Sequence, residues 1–160
     1  IMSQQNNSEQ AKIVFDTFCK TLDNLEWKYE KDDEDLCIGC GAKGDDLPMD
    51  IIIDVNSKQR MIVLASPMPF EVEDSKRIDM AIAASAVNYI IADGFFDYDV
   101  ASGKMYFRMT NSFVGSTIGE ETCAHMLMVL CATVDRFNDK LLCVSKGLIS
   151  LEQFLTSITE

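Results

Sequence analysis

No run of apolar residues in this sequence approaches the roughly eighteen that a membrane-spanning helix needs. The stretch from Ser3 to Gln10 is polar and uncharged apart from Glu9, the opposite of a secretory leader, so residence in the cytoplasm without a membrane anchor is the expectation. Ile1 ahead of Met2 is an unusual start, and Met2 is taken as the native first residue. Basic residues are scarce: 14 Lys and Arg stand against 26 Asp and Glu, for a net charge of −12. A chain so acidic repels a phosphate backbone instead of releasing its counterions, which argues against nucleic acid as a partner. Basic proteins or peptides stay compatible, although an acidic surface also serves simply to keep a domain in solution. Histidine occurs once, at His125, inside a helical stretch with no nucleophile or proton donor supplied by a local motif, so it reads as a helix-face residue and not as a general base.

What is present suits a single folded unit. The 160 residues, 48% of them hydrophobic, can bury the core of one domain. Six cysteines would indicate a disulfide framework only in a short, loop-rich extracellular chain. Here Cys19, Cys123, Cys131 and Cys143 fall inside apolar helical patterns, where a free thiol behaves as a small hydrophobe.

Periodicity then sorts the chain into elements. From Asn7, the residues Ala11, Phe15, Phe18, Leu22 and Leu25 share one helical face, with Lys12, Asp16, Lys20 and Asp23 elsewhere. Trp27 and Tyr29 alternate with charged neighbours, and Leu36 to Cys40 reads as a strand that Gly39, Gly41 and Gly44 weaken, so a bulge or an edge position is expected. Met49 to Val55 and Met61 to Ala65 form a hairpin about Asn56-Ser57-Lys58. A loop of that length sets Ile53 opposite Met61, Ile51 opposite Val63 and Asp54 opposite Arg60. A helix begins at Asp74 or Ser75 and runs to about Ala92; it is apolar around most of its circumference, which calls for a central position. In a second hairpin Phe96 and Tyr98 pair with Phe107 and Met105, and Asp99 meets Lys104. The pair Thr117 and Glu120 resembles a capping box before a helix from Ile118 to about Phe137, and Ser150 with Gln153 repeats it before a short terminal helix. Helix, antiparallel strands, helix, hairpin and two helices make an α+β protein with helices layered on a sheet.

Several of these residues look familiar as a set. Arg77 early in a helix, Asn88 a few turns on, Gly94-Phe95-Phe96-Asp97 at its exit, Gly103 in the next turn, the strand Met105-Tyr106-Phe107-Arg108 and Val134-Asp135-Arg136 together resemble the YbjN-like family of proposed bacterial sensory transduction regulators. The motifs lie from Pro67 onward; the earlier part agrees in element order only. The resemblance implies a type III secretion chaperone-like fold, an antiparallel sheet packed against helices in a single domain over residues 2–160, often paired, with no agreed catalytic site. Its pattern does not include Cys37-Ile38-Gly39-Cys40.

That segment is the sharpest candidate for metal or redox chemistry. A redox pair normally opens a helix that lowers the first thiol's pKa, whereas Cys37 and Cys40 sit in a strand, where residues three apart face opposite ways unless a bulge intervenes. No second ligand pair at zinc spacing follows. The acidic clusters spell no calcium loop, and Gly39-x-Gly41-x-x-Gly44 leads into Asp45 and Asp46 instead of a helix N-terminus, which fails the context a dinucleotide loop needs. Nine methionines fill a core or furnish an adaptable surface.

The expectation is a non-catalytic chaperone-like or regulatory protein-binding domain. It would form a homodimer and bind another protein or peptide without a cofactor, through apolar residues surplus to a small core: Phe113, Met126, Met128 and Phe154. The alternative is a small metal-binding or thiol redox protein using Cys37 and Cys40. A competing arrangement of the tail has the terminal helix fold back and seal the core.

Overall fold

A computed structural model describes residues 2–159. Helix α1 (Met2–Asn24) is followed by strands β1 (Tyr29–Asp32), β2 (Cys37–Lys43), β3 (Pro48–Asn56) and β4 (Met61–Pro67). A short 3-10 turn over Asp74–Lys76 leads into helix α2 (Arg77–Ile90), then strands β5 (Phe95–Asp99) and β6 (Lys104–Ser112), and helices α3 (Glu120–Ser145) and α4 (Leu151–Thr159). The strands form one six-stranded antiparallel sheet in the order β1-β2-β3-β4-β6-β5. This is the α+β arrangement the periodicity calls for.

Alternation decides which face is inner. On β3, Met49, Ile51, Ile53 and Val55 are buried while Pro48, Asp50 and Ile52 are exposed, and β4 and β6 continue the pattern through Ile62, Leu64, Met105, Phe107 and Met109. Helices α1 and α3 cross this inner face, bringing Phe15, Phe18, Leu22, Leu130, Val134 and Phe137 into the core. Phe96 meets both Phe107 and Phe137 edge to face, at 5.1 and 6.1 Å between ring centres.

The β5–β6 hairpin has the register the sequence predicts: Phe96 opposite Phe107, Tyr98 opposite Met105, Asp99 opposite Lys104. Phe96, Met105 and Phe107 are buried on one face, and the Tyr98 hydroxyl, on the same face, reaches α2. The β3–β4 hairpin differs from expectation. Ile53 faces Leu64 and Val55 faces Ile62, a slip of three residues from the predicted pairing, so Ile62 and Leu64 point inward in place of Met61, Val63 and Ala65. The turn takes four residues: Asn56 Oδ1 accepts the Gln59 N–H (2.9 Å) and Arg60 adopts a left-handed φ of 52°, closing the loop at the longer length.

Expectations for β2 and α3 also change. Strand β2 pairs with β1 and β3 in unbroken register, so it is neither bulged nor an edge. Helix α3 starts after Gly119 without a side-chain cap; Thr117 lies outside it, and Glu120 and Glu121 favour its N-terminus through the dipole alone. It runs on to Ser145 because Leu141 and Val144 continue the buried stripe. At α4 the reciprocal cap forms as read, with Ser150 N–H donating to Gln153 Oε1 (2.8 Å) and Gln153 N–H to Ser150 Oγ (3.1 Å).

Candidate functional site

Helix α2 carries apolar residues on both sides, and among the described residues only one side is covered. Met80, Ala83, Ala84 and Val87 are buried. On the other side Ile78 is 69% and Tyr89 90% exposed, with Ile82 and Ile90 also open to solvent. The central position expected for this helix is therefore not what the fold provides: α2 lies at the margin of the helical layer, beside β5 and α4. Two apolar faces on one helix do not dictate two covers, because the second face needs a neighbour and none of the described elements covers it.

Helix α4 gives the bare face its second wall. Phe154 and Ile158 root α4 in the core, and Leu155, Ile158 and Thr159 look across to Ile78, Ile82, Ala86 and Tyr89. The result is an open groove of about 680 Å³. Small residues at its centre, Ala81, Ser85 and Ala86, leave the helix backbone near the surface between larger ends.

The residues that carry the family resemblance hold this helix in place. Arg77 donates to the Ala101 carbonyl and reaches the Ser102 carbonyl at 3.4 Å, with Asp74 at 2.7 Å as its ion-pair partner. Tyr98 Oη donates to the Arg77 carbonyl (3.1 Å). Asn88 bonds Phe96 twice: Nδ2 donates to the carbonyl (3.0 Å) and Oδ1 accepts the N–H (2.7 Å). Gly94, at φ 70°, lies where a Cβ would strike the Phe107 ring. Asp135 on α3 accepts the Asp45 N–H (2.7 Å), which ties the turn after β2 to the helical layer. The motif is thus a set of clamps between helices and sheet.

Of the residues expected to make contacts, Phe113, Met126 and Phe154 are core residues, with 0%, 3% and 0% exposure. Their expected surface role is corrected by this burial: the terminal helix folds back and seals the core, and Phe113 closes the end of the sheet under the Arg60 carbonyl. Met128 is exposed (67%) beside His125 on the solvent side of α3, outside the groove. The groove residues were legible as apolar but not as exposed. The signal was the excess itself, since a helix of fourteen residues with so few polar positions exceeds what one packed face requires.

Cys37 and Cys40 point to opposite faces of β2: Cys40 turns inward toward Cys131 and Cys37 outward beside Asp54 and Asp32. They therefore cannot share a metal or close a disulfide without rebuilding the strand. Burial pushes the Cys40 thiol up to about 11, and burial together with Asp54, Asp32 and Asp35 raises Cys37. Both shifts run against a reactive thiolate. Among the described residues no group of His, Cys, Asp and Glu is placed to hold a metal ion, and no helix is long and apolar enough to cross a membrane.

A layer of helices clamped to one face of an antiparallel sheet, with one amphipathic helix left half bare, defines an α+β protein of the YbjN-like, type III secretion chaperone-like fold. Solved structures bear this out. YbjN, a proposed transcription regulator from E. coli, superposes with a TM-score of 0.59 at 17% identity over 83% of this chain and 92% of its own. A chain of the HopA1–SchA chaperone–effector complex gives a TM-score of 0.51 at 13% identity, over 86% of this chain and 96% of that one. No protein family and no curated protein matches the chain by sequence.

Proposed function

We propose that this protein is a non-catalytic, chaperone-like or regulatory protein-binding domain that works in the cytoplasm as a homodimer joined through the bare face of α2. The groove between α2 and α4 carries the reading. Among the described residues no carboxylate, imidazole, amine or thiol lines it to activate the hydroxyls of Ser85, Tyr89 or Thr159, and its chemistry suits apolar contact. An uncovered apolar patch of this kind usually marks an interaction site.

The order of residues along α2 favours a second copy as the occupant. Large side chains stand at both ends (Ile78 and Ile82, Tyr89 and Ile90) and small ones between them, so the stripe reads alike from either direction. An antiparallel twofold pairing would lay Ile78 of one copy against Tyr89 of the other while the small centres approach closely, the self-complementarity a twofold interface requires. Six unpaired thiols suit a reducing compartment. The fold's neighbours, a regulator and a chaperone bound to its effector, lend support to recognition of protein. A net charge of −12 favours regulation through protein contacts over contacts with DNA.

Light scattering on the eluting protein at micromolar concentration tests this. The expected mass is twice the 17.9 kDa of one chain. Ile82→Glu, at an exposed position, should weaken pairing by about tenfold or more, roughly 1.4 kcal/mol, with an unchanged circular dichroism spectrum. A wild-type monomer throughout would remove the homodimer and assign the groove to a different protein. A dimer indifferent to Ile82→Glu would place the interface elsewhere.

A further inference from the structure

Among the described residues the helices cover one face of the sheet, and the other face is bare. Reading across the strands, one row runs Gly39, Ile52, Ala65, Arg108, Phe95, and the next runs Cys37, Asp54, Val63, Thr110. An antiparallel sheet open to water normally alternates apolar inward with polar outward. Here the alternation fails: Ile52 interrupts it between Ile51 and Ile53 at 46% exposure, and Met61, Val63 and Ala65 stand beside it only half-buried.

Gly39 has no structural explanation of its own. Its backbone is not in the left-handed region, and a Cβ placed on it would meet nothing within 4 Å, so any strand-forming residue would fit. Glycine in the interior of a paired strand weakens it, and where no turn demands it, it often marks close approach by another chain or a ligand. Gly39 and Gly41 lower the floor between the outward side chains of β1 and β3, leaving a shallow trough with Ile52 on one wall.

The charges on the two walls of the trough are of one sign, with Lys43 at its end on β2. Glu30 and Asp32 flank it on β1, and Asp50 and Asp54 on β3, and none of these is in an ion pair among the described residues. Arg108, on the same face, is committed to Asp97 at 3.0 Å and to the Phe95 ring at 5.0 Å. Lys43 and Lys104 stand at strand ends, Lys104 across from Asp99.

We propose that this open sheet face docks a basic amphipathic helix of a partner protein, its apolar stripe over Ile52, Val63 and Ala65 and its lysines or arginines against Asp50, Asp54, Glu30 and Asp32. The glycine floor lets the helix approach closely, and the unpaired carboxylates select its charge. A second copy of this chain is a poor occupant, because it would bring like charges together. The inference rests on protein recognition as the function and not on pairing through α2.

The probe is a fluorescently labelled synthetic helix of Leu and Lys, compared with its Leu and Glu counterpart, titrated by anisotropy. The wild-type protein is expected to bind the Lys peptide, with affinity falling as salt rises, and not the Glu peptide. Gly39→Val fills the trough at a position where a β-branched residue suits a strand; it should hold or raise the melting temperature while weakening binding about tenfold or more. Asp50→Asn with Asp54→Asn should flatten the salt dependence. Ile82→Glu should leave the peptide's affinity unchanged, which separates this face from the α2 groove. Failure of the wild type to bind, equal binding by Gly39→Val, or loss of binding in Ile82→Glu would each overturn the assignment, as would a change of oligomeric state caused by Gly39→Val.

Discussion

The carboxamide of Asn88 meets the Phe96 backbone as a neighbouring strand would, with one donor and one acceptor. In an antiparallel pair, alternate residues aim their N–H and C=O groups away from the partner strand. Phe96 pairs with Phe107 on β6 yet spends both of its backbone groups on Asn88, so these groups lie on the free side of β5. Asn88 thus supplies one residue's worth of a missing strand. Removing it leaves a buried residue with two unsatisfied backbone groups, and Asn88→Ala should cost about 1–3 kcal/mol. Urea unfolding measures that cost, and hydrogen exchange at the Phe96 amide, slow in the wild type, should quicken in the variant at conditions where the fold persists.

Among the elements, the two edge strands are protected in different ways. On β1 the sequence Glu30-Lys31-Asp32 places charges along the open side, with Lys31 held near Asp33 at 3.3 Å, and charge discourages edge pairing. On β5 the protection comes from α2 through Asn88. This couples the edge to the groove, since the clamps that hold α2 to the hairpin also fix the orientation of its bare face. Helix α4 completes the groove and depends on its N-terminal cap. Ser150→Ala should lower stability by about 0.5–2 kcal/mol in thermal or urea unfolding, because the Gln153 N–H loses its acceptor. If α4 were held by packing of Phe154 and Ile158 alone, that substitution would leave unfolding unchanged.

For the molecule as a whole, acids held partly or fully out of water make alkali the weak side: Tyr29 and Cys40 are half-buried and Cys123 is buried. Tyr29 is pushed from its ordinary 10.0 to about 12, first by burial and then by its hydrogen bond to Asp23, 2.9 Å away. Burial carries the Cys40 and Cys123 thiols to about 11 from an ordinary 9.0. Each group has a folded pKa above its unfolded one, so the folded state holds more protons in the interval between them. Its contribution is complete below the unfolded pKa and is lost as pH rises through the folded value. Unfolding free energy should therefore decline from about pH 9 and fall steeply between about 10 and 12. Tyr29→Phe should flatten the upper part of that decline, and a profile level to pH 12 would contradict the burial of these groups. At the same scale the bare surfaces divide the molecule: the α2–α4 groove belongs to the helical side and the glycine trough to the opposite face of the sheet, so both could be occupied at once.

The sequence alone determined the element types, the inner face of β3, the β5–β6 register, the α4 cap and the acidic character, because each follows from local spacing and composition. Alternation at Phe96, Tyr98, Met105 and Phe107 allows one pairing across a short turn, and Ser150 with Gln153 needs only the helix between them. The β3–β4 register was not legible, because Met61, Val63 and Ala65 alternate as well as Ile62 and Leu64 do, and only a core on one side of the sheet chooses between them. Exposure of the α2 face was likewise closed to inspection of the chain. Apolar residues at Ile78, Ile82 and Tyr89 call for a cover, but whether the chain itself provides one depends on where α4 lands after α3 has run to Ser145. Tertiary packing made that decision: Phe154 and Ile158 found room in the core, and the α2 stripe at Ile78, Ile82 and Tyr89 stayed in water.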